Sequence, residues 1–262
     1  MIQAAGFRPG AMSRAIQQGG GVGRTDNRDF PFYNGLPVAS SARGGVAILA
    51  GCLAGYGGFI VAHHLVPIEA GHWLGLTALI LLPIAGLAVA VGRRWTSLFR
   101  RPTLRDLLLA LAFMPAAIVV PLVVAVPLYL AKMGVPNPVG SAVAGLKGMA
   151  LASFVARSGV QIFGEELLCI LPFIVFLSSF ASAPMPRRRA VILAWVASSA
   201  LFGLLHLPTY SWHVVQALVL IGAGRLVLTA PYLITKSIWA SFVTHLTTDW
   251  LILGVVLLLR GS

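Results

Sequence analysis

Residues 107–131 read LLLALAFMPAAIVVPLVVAVPLYLA, a run of 25 residues without a charged side chain. A helix needs about 20 mostly apolar residues to cross the hydrocarbon core of a bilayer. The run is therefore predicted to span a membrane. Pro115, Pro121 and Pro127 remove backbone donors at near-regular intervals, so we expect this span to be kinked or broken.

Six further apolar runs surround this one. They are residues 46–66, 73–92, 159–182, 190–207, 213–235 and 238–259. Hydrophobic residues make up 58% of the chain, charged residues only 10%, and the mean hydropathy is +0.90, whereas about a quarter of a soluble domain is charged. The sequence predicts an all-α polytopic transmembrane helical bundle of about seven spans. The Gly-, Ala- and Ser-rich residues 141–156 are predicted to form an additional amphipathic or half-buried helix.

The charged residues lie mostly between the apolar runs. Residues 1–44 contain five arginines and no apolar period, which predicts a flexible basic segment before a membrane domain at residues 45–262. The net charge of +12 is not gathered on one water-facing patch, so we expect the lipid bilayer as a partner and no nucleic acid. Seven spans would place 14 of the 19 Lys and Arg on one side, which predicts a cytoplasmic amino terminus. The predicted location is a bacterial inner or plasma membrane, as a multi-pass protein.

Three acids and two histidines inside the apolar runs of the second half are candidate functional residues. The acids are Glu165, Glu166 and Asp249, and the histidines are His206 and His245. An ionisable group in the middle of a bilayer costs about 2.5–3.5 kcal/mol on insertion scales, so each is a functional candidate. Adjacent helical residues point about 100° apart, so one glutamate can face the bundle interior while the other braces a neighbouring helix.

These five residue types together suit hydrolysis. A carboxylate can activate water, a histidine can protonate a leaving amine, and further polar groups can hold an oxyanion or a metal. His245 and Asp249 are four residues apart and share a helix face, an arrangement that fixes an imidazole tautomer or completes a metal shell. The alternative is a structural role in polar contacts between helices, or a proton path.

The same residues carry a resemblance to a known family. Glu165-Glu166, then FGLLH at 202–206, then TKSIW at 235–239 followed by HLTTD at 245–249 resembles the CPBP or Abi family of intramembrane proteases, which includes type II CAAX prenyl endopeptidases and bacteriocin-processing or self-immunity proteins. The resemblance covers about residues 155–255. It implies hydrolysis of a peptide bond in a peptide or membrane-protein substrate, with Glu165 activating water and His206 assisting.

The resemblance leaves the role of the second polar pair open. In the family, His245 and Asp249 match residues described either as oxyanion stabilisers or as ligands of a divalent metal such as zinc. The metal description implies a ligand set of His206, His245 and Asp249. An ionised Asp249 cannot donate to an oxyanion, so its chemistry favours orienting His245 or binding a metal.

One position departs from the family pattern. The arginine expected after the glutamate pair falls on Ile170, and without a cation two buried carboxylates would share a proton. Arg157 and Arg225 are the candidates to supply that charge. Two other classes therefore stay open: a catalytically silent member that binds a peptide or partner, and a proton-coupled transporter. A transporter commonly shows matched broken helices in two related halves, and here the polar residues all fall in the second half.

Overall fold

The computed structural model describes residues 29–32, 41–66 and 69–260, and all regular structure in these ranges is helical. The helices are α1 (Ala42–Leu65), α2 (Glu69–Val91), α3 (Leu104–Leu130), α4 (Val139–Ala142), α5 (Gly148–Ala181), α6 (Arg187–Leu205), α7 (Gly222–Thr235) and α8 (Ile238–Arg260). A 3₁₀ segment, Gly92–Phe99, continues α2, and a π-helical segment, Gln216–Ile221, leads into α7. Within the described ranges, seven helical segments are long and apolar enough to cross a membrane. The predicted all-α multi-pass bundle is confirmed.

The prediction of a separate additional helix at residues 141–156 is wrong. The four-residue α4 ends at Ala142, and residues 148–156 form the first turns of the 34-residue α5. Ala, Leu and Met favour helix. The fourth span therefore begins at Gly148 instead of the predicted residue 159. Gly145 and Gly148 adopt φ of +80° and +52° in the turn that starts it.

The third span is continuous. α3 runs unbroken from Leu104 to Leu130 with all three prolines inside it, and Thr103 and Asp106 close its amino-terminal end with a capping box. The expectation of a possible break is therefore wrong. α3 packs against α7 and α8, and neighbouring helices are what allow prolines to persist in membrane-spanning helices.

α5 lies at the centre of the bundle. It contacts α1, α2, α6 and α8, and 72% of its most apolar stretch is buried, against 44% or less for the other spans. A polar side chain on α5 is therefore held among helices rather than facing lipid. This placement positions the site described below.

Part of the predicted amino-terminal segment contacts the bundle. The Phe30 side chain is buried, with its ring 5.3 Å from that of Phe173 in α5 and 5.8 Å from that of Tyr232 in α7. Arg187 pairs with Asp29 beside it. Residues 1–28 and 33–40 of the predicted flexible segment lie outside the described residues.

Candidate active site

Glu166 and Arg225 form a buried ion pair between α5 and α7. Both side chains are completely buried. The Nη1 and Nη2 groups of Arg225 donate to Oε1 and Oε2 of Glu166, each at 2.7 Å. Such a two-pronged pair is a strong, geometrically specific contact. The glutamate pair therefore has a cation, supplied by a residue 59 positions away, and the expectation of a pair that lacks one is wrong.

The Glu166 carboxylate accepts two more hydrogen bonds. His245 Nδ1 lies 2.8 Å from Oε1, and the Ser241 hydroxyl donates to Oε2. An ionised carboxylate has about four acceptor positions, so Arg225, His245 and Ser241 together occupy them all. Glu166 has no acceptor position left for a water molecule. Glu166 therefore holds the Arg225 and His245 side chains in place through these hydrogen bonds.

Ile170 is an apolar packing position. It is fully buried and belongs to the hydrophobic cluster that includes Leu167, Leu171 and Phe173 on the same helix. The cation that the family pattern places at this position comes from Arg225 instead. Arg157, the other candidate, pairs with Glu69 at 3.3 Å.

Glu165 has different surroundings from its neighbour. The Gln161 amide donates to Oε1 at 2.8 Å, and Oε2 lies 3.9 Å from His245 Nε2. The side chain is 15% exposed and lines two cavities, one of about 280 Å³ and one of about 50 Å³. Glu165 is therefore the glutamate of the pair that can meet water and substrate.

His206 shares the smaller cavity with Glu165. It follows the last residue of α6, and its Nδ1 lies 2.9 Å from the Phe202 carbonyl oxygen. A carbonyl oxygen only accepts, so Nδ1 carries a proton and donates to it. This contact fixes the tautomer and leaves Nε2 for other contacts.

His245 joins Glu166 to the larger cavity. Since Glu166 also accepts from Arg225, it carries no proton, so His245 donates through Nδ1. The opposite ring nitrogen, Nε2, lies 3.5 Å from Asp249 Oδ2 and 3.9 Å from Glu165 Oε2. Asp249 lines the 280 Å³ cavity together with Glu165. His245 thus lies within 4 Å of Glu165, Glu166 and Asp249, whereas His206 is related to Glu165 only through the smaller cavity that both line.

One known protein family matches the part of the chain that contains these helices. Residues 147–251 match the model of the Rce1-like family, described as type II CAAX prenyl endopeptidase Rce1-like. The resemblance drawn from the motifs is confirmed. This Rce1-like segment runs from the start of α5 into α8 and includes all five predicted site residues and Arg225. No curated protein and no solved structure matches the chain.

The metal set predicted within the Rce1-like segment is not assembled. His206 lines the smaller cavity, whereas Asp249 lines the larger one. Within residues 29–32, 41–66 and 69–260, no group of three or more His, Cys, Asp or Glu side chains is arranged to hold a metal ion. A divalent metal stays a prediction.

Three residues near the site were missed by the sequence reasoning: Gln161, Tyr210 and Ser241, which donates to Glu166 from 75 positions away. Gln161 donates to Glu165 from one turn earlier, a spacing of four that the sequence does contain. Tyr210, in the loop after α6, is 5% exposed. Burial first, and then electrostatic interaction with neighbouring acidic groups, raise the pKa of Tyr210 to about 12. The phenol therefore stays protonated at neutral pH, but no sequence pattern points to it.

Proposed function

We propose that the protein is an intramembrane endopeptidase that hydrolyses a peptide bond in a membrane-associated or prenylated substrate. The observation that carries this proposal is the difference between the adjacent glutamates. Glu166 is saturated by Arg225, His245 and Ser241, whereas Glu165 accepts from Gln161 and reaches two cavities. The similarity of residues 147–251 to type II CAAX prenyl endopeptidases supports the same reaction.

The proposed reaction begins with water in the cavity beside Glu165. The carboxylate removes a proton as the water oxygen attacks the peptide carbonyl carbon, and that proton then passes to the nitrogen of the departing amine. His206 assists through Nε2, because its Nδ1 is engaged with Phe202. His245, held by Glu166, orients the polar end of the cavity and keeps its Nε2 beside Glu165.

The catalytically silent alternative depended on Ile170. It assumed that the glutamate pair lacks the cation that keeps a carboxylate ionised. Because Arg225 supplies that cation from α7, the departure at Ile170 no longer favours a silent member. This supports an enzyme but does not identify its substrate.

The test compares Glu165→Gln with Glu166→Gln, the same change at neighbouring positions. A farnesylated peptide with a free carboxyl end is incubated with the purified protein in nanodiscs, and products are identified by mass spectrometry. Glutamine cannot accept the proton, so Glu165→Gln should lower kcat by about 10²–10⁴-fold with an unchanged unfolding temperature. Glu166→Gln should instead lower the unfolding temperature, because Arg225 loses its counter-charge.

Two results would contradict the proposal. Cleavage by Glu165→Gln at the wild-type rate would show that Glu165 is not the base. A wild-type protein that cleaves neither farnesylated nor unmodified membrane-tethered peptides would contradict the proposed endopeptidase function.

A further inference from the structure

The Gln161 side chain contacts Glu165 and lines the same two cavities as that carboxylate. Its Nε2 donates to Glu165 Oε1 at 2.8 Å from one turn earlier on α5. A carboxylate oxygen only accepts, so the carboxamide atom that faces Glu165 is the nitrogen. That nitrogen carries two hydrogens, and no hydrogen bond among the described residues uses the second. Gln161 therefore has one N–H left for a ligand beside Glu165.

The sizes of the two cavities indicate what meets at this point. The smaller cavity, of about 50 Å³, can hold a few water molecules but no peptide. The larger cavity, of about 280 Å³, is close to the lower end of the range of about 300–1,000 Å³ for ligand sites. Because Glu165 and Gln161 line both cavities, water from one side and a peptide bond from the other can meet at these two side chains.

Hydrolysis needs a donor for the oxygen of the attacked carbonyl. That oxygen becomes an oxyanion, and preorganised N–H or O–H groups stabilise it. The residues that match the oxyanion stabilisers of the family are His245 and Asp249, and an ionised Asp249 has no proton to donate. His245 uses Nδ1 on Glu166, and its Nε2 lies 3.5 Å and 3.9 Å from carboxylate oxygens of Asp249 and Glu165. A proton on Nε2 would therefore be directed at those carboxylates.

The larger cavity contains few other side-chain donors. The Ser158 hydroxyl donates to a backbone carbonyl, and Trp250 Nε1 donates to Ser158. Asn137 is an exposed loop residue, and its carboxamide oxygen accepts from the backbone N–H two residues later. It is the other carboxamide in the lining. Gln161 differs from it because its amide is hydrogen-bonded directly to the predicted base.

The position of the Gln161 amide suits an oxyanion. A donor acts on an oxyanion from about 2.7–3.1 Å, and an attacking atom lies about 3–3.5 Å from the carbonyl carbon before the reaction. A water molecule held by Glu165 therefore has the attacked carbonyl group within a few ångströms of the carboxylate. Nε2 of Gln161 is 2.8 Å from that carboxylate, which places its second N–H within reach of the carbonyl oxygen.

We propose that Gln161 is a catalytic residue that donates one N–H to Glu165 and the other to the oxyanion. This inference rests on the proposed endopeptidase function. The water oxygen bonds to the carbonyl carbon, the proton goes to Glu165, and the carbonyl π electrons move to the oxygen that accepts from Gln161. The carbon–oxygen double bond then re-forms, the carbon–nitrogen bond breaks, and the proton passes from Glu165 to the departing amine nitrogen.

The test removes the amide by Gln161→Met, with Gln161→Ala as a second removal that guards against misfolding of one variant. Both should keep the wild-type unfolding temperature. Because removal of one oxyanion donor costs about 10²–10³-fold, kcat for a farnesylated peptide should fall by that factor. KM should change by less than about threefold, since the neutral carbonyl of the substrate depends little on that donor. An unchanged kcat, or a loss that lies in KM alone, would overturn the proposal.

Binding of two uncleavable peptides separates this proposal from the proposed reaction. One carries a phosphinate, whose ionised oxygens imitate the oxyanion, and the other a neutral ketomethylene group in place of the scissile bond. Gln161→Met should weaken binding of the phosphinate by about 10²-fold and leave the ketomethylene peptide within about threefold. This selective loss supports the donor even if no turnover is found and the proposed reaction fails. Equal changes for both peptides overturn the donor while leaving any turnover intact.

Two further measurements exclude other sources of anion binding. Asn137→Leu removes the other carboxamide of the cavity and should weaken phosphinate binding less than Gln161→Met does. A larger loss in Asn137→Leu would assign the donor to Asn137 and overturn the proposal. The titrations are repeated in EDTA, and phosphinate binding to the wild type should persist. Loss of that binding in EDTA would assign the anion to a bound metal and would also overturn the proposal.

Discussion

Glu165 and Glu166 show how two identical neighbouring residues acquire different chemistry. The 100° turn between them directs Glu166 towards α7 and α8, where Arg225, His245 and Ser241 bind it. A buried ion pair gains little net stability because both charges lose their hydration, but removing one partner leaves an unpaired charge and costs about 3–5 kcal/mol. The pair therefore fixes the relative positions of helices more than it stabilises the fold.

Candidate site residues could be predicted from the sequence, whereas most of the contacts between them could not. Glu165, His206 and His245 could be found because ionisable groups are rare in apolar runs. Spacing of four residues also identifies contacts within a helix, as for His245 with Asp249. The pairing of Arg225 with Glu166 joins residues 59 positions apart, and it depends on how the helices are arranged in the bundle, which local spacing does not encode.

Ile170 gives a test at the residue scale. Restoring the arginine of the family pattern would improve the site only if Glu166 lacked a cation. Because Glu166 is already saturated and Ile170 is fully buried among apolar side chains, Ile170→Arg should instead bury an unpaired charge. We expect loss of folded protein, measured as monodisperse yield and unfolding temperature.

The conservative change Ile170→Val is the control for that test. Removing one methylene group at a buried position should cost about 0.5–1.5 kcal/mol and leave cleavage in place. An Ile170→Arg variant that is as stable as the wild type and cleaves faster would mean that Arg225 is not a sufficient counter-charge for Glu166.

At the element scale, the lengths of α3 and α5 were the hardest features to predict. Prolines end helices in water, but in α3 three of them lie within one continuous span. Small residues at 148–156 suggested an interruption, whereas they extend α5. The prolines of α3 persist where α3 packs against α7 and α8, whereas residues 148–156 follow the helix preference of Ala, Leu and Met.

The contact between α1 and α2 depends on glycines where the backbones approach. A Cβ atom on Gly51 would lie 2.6 Å from the Leu82 carbonyl oxygen, and one on Gly86 would lie 2.5 Å from that of Ala47. Neither backbone can move aside without separating the helices, so Gly51→Ala should destabilise the protein by about 1–3 kcal/mol. The measurement is the unfolding free energy in detergent.

Gly57→Ala is the matched control on the same helix. A Cβ atom there would meet nothing within 4 Å, and alanine favours helix over glycine. We expect this variant to be as stable as the wild type or more so. Equal losses in Gly51→Ala and Gly57→Ala would show that close packing with α2 does not explain the glycine at residue 51.

At the scale of the whole molecule, the first half contributes to a site whose motifs all lie in the second half. Tyr56 in α1 donates to the Leu205 carbonyl oxygen and lines the cavity that contains Glu165 and His206. His63 and His72 line a further cavity of about 330 Å³, together with Arg157 of α5. No motif in α1 or α2 predicted this, because the contribution comes from packing against α5 and the end of α6. The location in a bacterial inner membrane stays a prediction.

The orientation in the membrane can be predicted from charge. With seven spans, the side that receives the start of α1 carries 14 of the 19 Lys and Arg, and the other side carries four. Positively charged loops stay in the cytoplasm, so we expect the amino terminus there and the carboxyl terminus on the far side. Fusions of a fluorescent protein and of a phosphatase active only outside the cytoplasm, made at each end, measure this directly. Fluorescence should appear with the amino-terminal fusion and phosphatase activity with the carboxyl-terminal one. The reverse pattern would show that the charge count does not set the orientation, and two ends on one side would show that one of the seven long helices does not cross the membrane.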